Sequence, residues 1–448
     1  MRLLLTHGYF LDEDPKERQI MKPYAPMGIL YLSSHLRARG FEVDIYDSTF
    51  GSRGELFRIL RDGPPAALGI YGNLMTRAGV IETIEVARAA GWRVIAGGPE
   101  PANYAEEFLD AGAEIVAAGE AELALEELMR TDFDSRAWPA IDGIVFRDAG
   151  GRTVRNKPAR LLSDLDAQPW PDRERIDIPR YLKAWRDHHG KSSISVITAR
   201  GCPYKCNWCS HSVYGHTHRR RSPRAVAEEV EWLLGRYRPD MLWMADDVFT
   251  IHQGWLLEYA AELKRRGIRI PFECITRADR VNERIAATLG ELSCMRVWIG
   301  SESGSQRILD AMQRGVTVEQ VRRAVGLCRE NGIETGMFLM WGYDGEEIGD
   351  VEATVDHVKQ CRPDVFFTTV SYPIRGTPYF DKVAARVVNI KPWRETTDRE
   401  FQIRGRHSRR FYKYADDLLR SETAPQPDYA AIAAAREGLY ATHAEVEA

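Results

Sequence analysis

The chain has 448 residues, 44% of them hydrophobic and 28% charged, with a formal net charge of −4. That length suits two or three domains with ample cores, and the near balance of charge excludes a general affinity for nucleic acid or anionic membranes. No apolar run approaches the ~20 residues that span a bilayer, and the opening "MRLLLTHGYFLDEDPKE" reads as a strand start rather than a signal peptide; both point to the cytoplasm.

Residues 1–130 alternate strand and helix. Strands are expected at 2–5 ("RLLL"), 41–47 ("FEVDIYD"), 66–72 ("AALGIYG"), 92–98 ("WRVIAGG") and 113–119 ("AEIVAAG"). Helical spacing marks 27–40, 78–91 and 120–130. Five apolar strands separated by helices predict an α/β fold with an open parallel sheet, covered on both faces. Such sheets take ligands beyond the carboxyl ends of their strands. Those ends carry "YGNLMT" (71–76), "GGPEP" (97–101) and "AAGEAE" (117–122). A tight βα connection is the plain alternative for each of these turns.

Residues 131–190 look irregular, with three prolines and many charges in "LLSDLDAQPWPDRERIDIPRY" (161–181). A second alternation starts at 192, with strands expected at 192–198, 240–245, 270–276, 295–301, 333–340 and 365–371. In "AVAEEVEWLL" (225–234), Val226, Val230, Leu233 and Leu234 share one helix face. Six βα units predict a (β/α)6 partial barrel with its site at the carboxyl ends of the strands. The tail reads as helical at 409–422 and 429–443. The expected division is a first sheet domain over 1–135, a linker over 136–190, the barrel over 191–385 and a helical region over 386–448. The basic run "HTHRRRSPR" (216–224) reads as a solvated loop.

Seven cysteines stand at 202, 206, 209, 274, 294, 328 and 361. An odd count, with none in the first 201 residues, does not suit a disulfide framework. The four scattered ones read as small core residues. Cys202, Cys206 and Cys209 fall in one loop just past the first barrel strand, which suggests metal or redox chemistry. A 4Fe-4S cluster on three thiolates keeps one iron open, whereas a structural zinc site closes with four ligands and would recruit His211. The spacing leaves both alternatives open.

"ARGCPYKCNWC" (199–209) resembles the C-x3-C-x2-C signature of radical SAM enzymes. The resemblance implies that Cys202, Cys206 and Cys209 hold a 4Fe-4S cluster whose open iron binds S-adenosylmethionine (SAM), which is cleaved to a 5'-deoxyadenosyl radical. It extends to "MADDVFT" (244–250), "IGSESGSQRILDAM" (299–312), "GMFLMWGYDGEE" (336–347) and "SYPIRGTPYF" (371–380). On it, Trp208, Asp246, Asp247, Arg277, Ser301, Glu302, Phe338 and Met340 would surround SAM. Two departures are Asp344, where proline is usual, and Ile374-Arg375 in the last stretch.

Residues 1–130 resemble the cobalamin-binding domain that precedes many of these enzymes, a Rossmann-like sheet. "GGPEPANYAEEFLDAGAEIVAAGEAE" (97–122) matches its "GGP-H…GEGE" stretch, with Glu100 for the usual His and Ala121 for Gly. The resemblance implies cobalamin contacts at Gly72, Asn73, Met75, Thr76, Gly97, Gly98, Pro99, Glu100, Gly119 and Glu120. The D-x-H-x-x-G motif that supplies a lower cobalt ligand is absent, since "DHHG" (187–190) has the wrong spacing. Cobalamin is therefore expected without a lower histidine ligand. Radical SAM methylthiotransferases are set aside, because they carry three further cysteines in their first domain.

The function implied is a cobalamin-dependent radical SAM methyltransferase acting on an unactivated carbon of a small molecule. A low-potential flavodoxin or ferredoxin would supply electrons. Tyr372 and Arg375 are candidate walls of the substrate pocket. One alternative is a radical SAM cyclase, rearrangement enzyme or oxidoreductase that transfers no methyl group. Another is a non-catalytic zinc- or cluster-binding interaction protein.

Overall fold

The computed structural model describes residues 2–397 and 400–447. Five short apolar strands, β1 (Leu3–His7), β2 (Val43–Ile45), β3 (Ala67–Tyr71), β4 (Arg93–Gly97) and β5 (Ile115–Ala117), pair in parallel in the order β2-β1-β3-β4-β5. Helices Met27–Arg37 and Glu122–Arg130 pack on one face, and Arg53–Asp62, Arg77–Ala89 and Ala105–Asp110 on the other. The strands are buried on both sides, which is why they read as continuous apolar runs.

The stretch expected to be an irregular linker is not one. β6 (Ile144–Arg147) and β7 (Thr153–Arg155) extend the first sheet as an antiparallel hairpin. Asp148 closes its turn by accepting from the N–H groups of Gly150 and Arg152, and Gly151 supplies the positive φ of 79°. Helix Ile178–His189 follows, capped by Asp177 and ended by Gly190. Its Ile178 and Leu182 enter the core of the second domain, while Tyr181 and Trp185 bond Asp47 and the Pro23 carbonyl of the first. This helix is a brace between the two bodies.

The second body begins with β8 (Ser193–Val196), which leads into the cysteine loop. That loop is bracketed by a two-residue ladder, β9 (Ala199–Arg200) with β10 (Arg219–Arg220). β11 (Met241–Met244), β12 (Phe272–Thr276), β13 (Cys294–Glu302), β14 (Glu334–Trp341) and β15 (Val365–Val370) complete a parallel sheet in sequence order, β8-β11-β12-β13-β14-β15. Six strands laid side by side in chain order, with helices outside, give the expected partial barrel. Cys274, Cys294, Cys328 and Cys361 are buried and belong to its core. The C-terminal region adds a small ladder, β16 (Val387–Asn389) with β17 (Phe401–Ile403), and helices Arg409–Thr423 and Tyr429–Ala441. Among the described residues no helix is long and apolar enough to cross a membrane.

The basic run is also not a solvated loop. Arg219, Arg220 and Arg221 reach buried Glu120, Asp246 and Glu229 respectively, and Arg173 shares Glu229 at 2.6 Å. Each arginine has a buried carboxylate partner, which lets so much charge leave water.

Candidate active site

Cys202, Cys206 and Cys209 line one pocket of about 1330 Å³ at the carboxyl ends of the barrel strands. The loop that carries them lacks regular structure and is held by Asn207. Its N–H donates to the Met312 carbonyl, its amide to the Ala311 carbonyl at 2.8 Å, and its carbonyl accepts from the Tyr379 N–H at 2.9 Å. The Tyr343 hydroxyl donates to the Asn207 side chain at 2.8 Å. Asn207 was not singled out from sequence, because nothing local marks a side chain whose partners lie over 100 residues away.

Two guanidiniums face the thiols. Arg277 and Arg314 each lie 3.8 Å from the Cys206 sulfur. Arg277 is fixed by Asp279 at 3.0 Å and stacks 3.6 Å over the Tyr204 ring, and Arg314 is fixed by the Gly300 carbonyl at 2.9 Å. The recessed walls of the pocket and the neighbouring thiols push Cys209 up to about 12. Three thiols in one loop, with two cations beside Cys206, suit a metal centre, which binds them as thiolates. The donor set therefore fits an iron–sulfur cluster. His211 also lines the pocket, its ring tilted against that of His216 with centroids 4.0 Å apart.

Glu302 enters the pocket through a backbone irregularity. The β13–β14 register shifts between Gly300 and Glu302, and Glu302 sits at φ 62°. A non-glycine residue there is strained, and such strain gathers at functional sites. Burial raises the Glu302 pKa, against the pull of Arg314 and Arg277. Ser301, one residue earlier, faces away and meets His357 at 3.1 Å, buried. Trp208 and Phe338 line the pocket, whereas Met340 is buried beside Tyr343 and Tyr379.

The paired aspartates separate in the same way. Asp246 is buried and accepts from the Thr198 N–H at 2.7 Å, the Ala199 N–H at 3.0 Å, Arg220 at 2.9 Å and the Thr198 hydroxyl. Its oxygens are filled by protein donors, so it fixes the start of the cysteine loop instead of facing a ligand. Asp247 lines the pocket, and its recessed position and the charge of Asp246 raise its pKa.

A second cavity of about 800 Å³ lies against the carboxyl ends of β1, β3, β4 and β5. Leu5, Gly28, Gly69, Ile95, Gly97, Gly98, Gly119 and Glu120 belong to its wall. A Cβ at Gly28 would meet nothing within 4 Å, and one at Gly97 only Ala117 at 3.7 Å, so these glycines leave open space. An apolar cavity with glycines in its wall suits the flat face of a corrinoid. Among the described residues of its wall there is no histidine. Glu120 is held by Arg200, by Arg219 at 2.8 Å and by the Leu162 N–H at 2.9 Å.

The other expected cobalamin contacts lie elsewhere. Asn73, Met75 and Thr76 line a neighbouring pocket beyond Tyr71, where Asn73 caps its own turn. Gly72 is packed against Pro101. Pro99 borders the cysteine pocket, and Glu100 is sealed against Arg77 at 2.7 Å. Arg375 pairs with Glu107 at 2.5 Å, tying the β15 loop to the first body. Asp344 is bound by Lys382 at 3.0 Å and Arg386 at 2.5 Å, which fixes the turn where proline is usual.

The family model described as the radical SAM superfamily matches residues 196–358, and that of the B12 binding domain matches residues 20–129. The chain is a radical SAM enzyme with a B12-binding domain. Its relatives include an uncharacterized methyltransferase of Pyrococcus horikoshii, 28% identical over 83% of this chain and 81% of that protein. The anaerobic magnesium-protoporphyrin IX monomethyl ester cyclase of Synechocystis is 23% identical over 87% of this chain and 78% of its own. Among solved structures, the cobalamin-dependent SAM radical enzyme OxsB with aqua-cobalamin bound superimposes with a TM-score of 0.74 at 18% identity, covering 93% of this chain and 66% of that one.

In this radical SAM enzyme the two cavities share a wall. Val213 and Tyr214, in the segment just after the cysteines, border both. Sequence reasoning missed this pair and missed Arg314 and Arg220, since none lies in a motif and each acts through tertiary placement.

Proposed function

We propose that this enzyme transfers a methyl group from SAM, by way of a corrinoid, to an unactivated carbon of a small molecule. The observation that carries this reading is the shared wall at Val213 and Tyr214, which puts the B12-binding cavity next to the cysteine pocket. When bound, the cluster with SAM supplies a carbon radical and the corrinoid supplies the methyl group.

The protein's part is holding and excluding. Cys202, Cys206 and Cys209 would hold the cluster, with Arg277 and Arg314 balancing its negative charge. Glu302 and Asp247 would accept hydrogen bonds from the cationic amino end of SAM, charge-assisted contacts in a recessed site. Phe338 offers an apolar face, and Trp208 of the cysteine loop packs on the cluster of Met340, Tyr343 and Tyr379. Gly28 and Gly97 would leave room for the corrinoid, and no histidine stands among the described residues of that wall. The first domain takes in the β6–β7 hairpin, helix Ile178–His189 braces it to the barrel over 191–385, and 386–448 form the C-terminal region. A low-potential flavodoxin or ferredoxin supplies electrons, and the enzyme works in the cytoplasm.

The test needs no substrate. Reduced, cobalamin-loaded protein given SAM with a deuterated methyl group should release S-adenosylhomocysteine in step with the cobalamin content. Formation of 5'-deoxyadenosine with no S-adenosylhomocysteine would instead favour the cyclase-type reading, which the Synechocystis relative keeps alive.

A further inference from the structure

Away from both cavities, three segments of the chain meet at one point. Glu347 stands at the N-cap of helix Ile348–Cys361, just after the β14 loop. His407 precedes the N-cap Ser408 of helix Arg409–Thr423, and His443 follows helix Tyr429–Ala441. The chain's end is pinned there by main-chain bonds from Gly405 to Glu447, Glu447 to Arg406 and Ser408 to Glu445. One ligand atom from each of Glu347, His407 and His443 lies within 4.8 Å of the other two.

We propose that Glu347, His407 and His443 form a binding site for one divalent transition-metal ion of the zinc type, clamping the C-terminal segment onto the β14 loop. Two imidazoles and a carboxylate are the donors such borderline ions prefer, with water completing a tetrahedron. Bonds of about 2.0–2.1 Å place tetrahedral ligands about 3.3 Å apart. The Glu347 carboxylate lies 3.5 Å from His443 Nε2 and 4.0 Å from His407 Nε2. Those separations are too long for hydrogen bonds and near those of a metal's ligands.

His443 Nε2, the atom that faces the Glu347 carboxylate, is buried without a hydrogen-bond partner. The Glu347 side chain is 63% exposed and is set over the helix start by a capping box, which places its carboxylate beside both imidazoles. The nearby cations do not oppose a metal, since Arg410 pairs with Glu445 at 3.0 Å and Arg406 with Glu447 at 2.9 Å. Stacking of His407 on Phe411, with centroids 4.2 Å apart, already sets that ring's orientation.

The test uses the full chain with its cluster reconstituted, titrated with zinc chloride against a chelating dye, iron and zinc being measured separately. The result expected is one zinc per chain with the iron content unchanged. A hundredfold excess of zinc over its Kd should raise the Tm by about 5–10 °C. His443→Ala and Glu347→Gln should each weaken zinc binding at least tenfold and abolish the Tm rise. Glu347→Gln alters an exposed side chain, so it keeps the test valid if a histidine variant fails to fold. No zinc held against the dye, or equal zinc binding in wild type and Glu347→Gln, would overturn the proposal.

Discussion

Asp246 and Asp247 are neighbours in sequence with opposite expected phenotypes. Replacing Asp246 by Asn keeps one acceptor oxygen but turns an N–H2 group toward donors that already point at the carboxylate, from Thr198, Ala199 and Arg220. It also strips the partner from Arg220, whose side chain is 5% exposed. Breaking a buried pair by removing one member costs about 3–5 kcal/mol. In a body of this size, each kcal/mol lowers the Tm by about 2–4 °C, so Asp246→Asn should lose about 10 °C. Asp247→Asn removes only a pocket-facing charge. It should leave the Tm within about 2 °C and weaken SAM binding about tenfold, the size of one lost charge-assisted contact. Thermal unfolding and equilibrium binding of SAM to both cluster-loaded variants decide the matter. An Asp246→Asn protein with unchanged Tm and lost SAM affinity would refute the assignment.

Other outcomes follow from the same geometry. Cys206→Ala should remove the iron and the visible absorption of the reconstituted protein, as iron analysis and spectroscopy would show; full retention would rule out a cluster on this loop. Glu302→Ala should weaken SAM binding about tenfold or more while the iron content holds, measured by equilibrium dialysis; unchanged affinity would take Glu302 out of the site. Glu346 is pushed up to about 8 by burial and by Asp350, against the Gly342 N–H and the charges of Arg307 and Arg406. Its folded pKa is raised, so the folded state holds more protons than the unfolded one, and stability should fall as pH rises from about 4.5 to about 8. The slope is at most about 1.4 kcal/mol per pH unit. Glu346→Gln, which keeps an acceptor for Gly342, should flatten that decline in denaturant melts at pH 5, 6.5 and 8; equal slopes would refute it.

Much of this was legible in the chain because the information is local. Eleven strands read as apolar runs between turn residues, and the cysteine spacing carried its chemistry. What escaped notice depends on distant partners. The β6–β7 hairpin was hidden in a charged, proline-rich stretch, although the turn at 148–151 signals it. The basic run looked solvated because its partners Glu120, Asp246 and Glu229 lie elsewhere in sequence. Motif position could not tell Asp246 from Asp247, or Ser301 from Glu302, because a side chain's direction at a strand end depends on a bulge or a hydrogen-bonded partner. Glycine-rich turns were equally ambiguous: 97–98 and 119 line the cavity, whereas 72–76 turns away from it.

The central claim is that the cavity beside the cysteine pocket holds a corrinoid. Gly97→Leu would fill it without straining the backbone, since a Cβ at Gly97 meets only Ala117 at 3.7 Å. The decisive measurement is cobalamin content after anaerobic incubation of cluster-loaded wild type and Gly97→Leu with hydroxocobalamin and desalting, with the Tm of both recorded. Wild type should retain about one cobalamin per chain, with the spectrum of cobalt lacking a lower nitrogen ligand, and Gly97→Leu should retain almost none at a near-equal Tm. Cobalamin washing out of wild type, or retained equally by folded Gly97→Leu, would contradict the account.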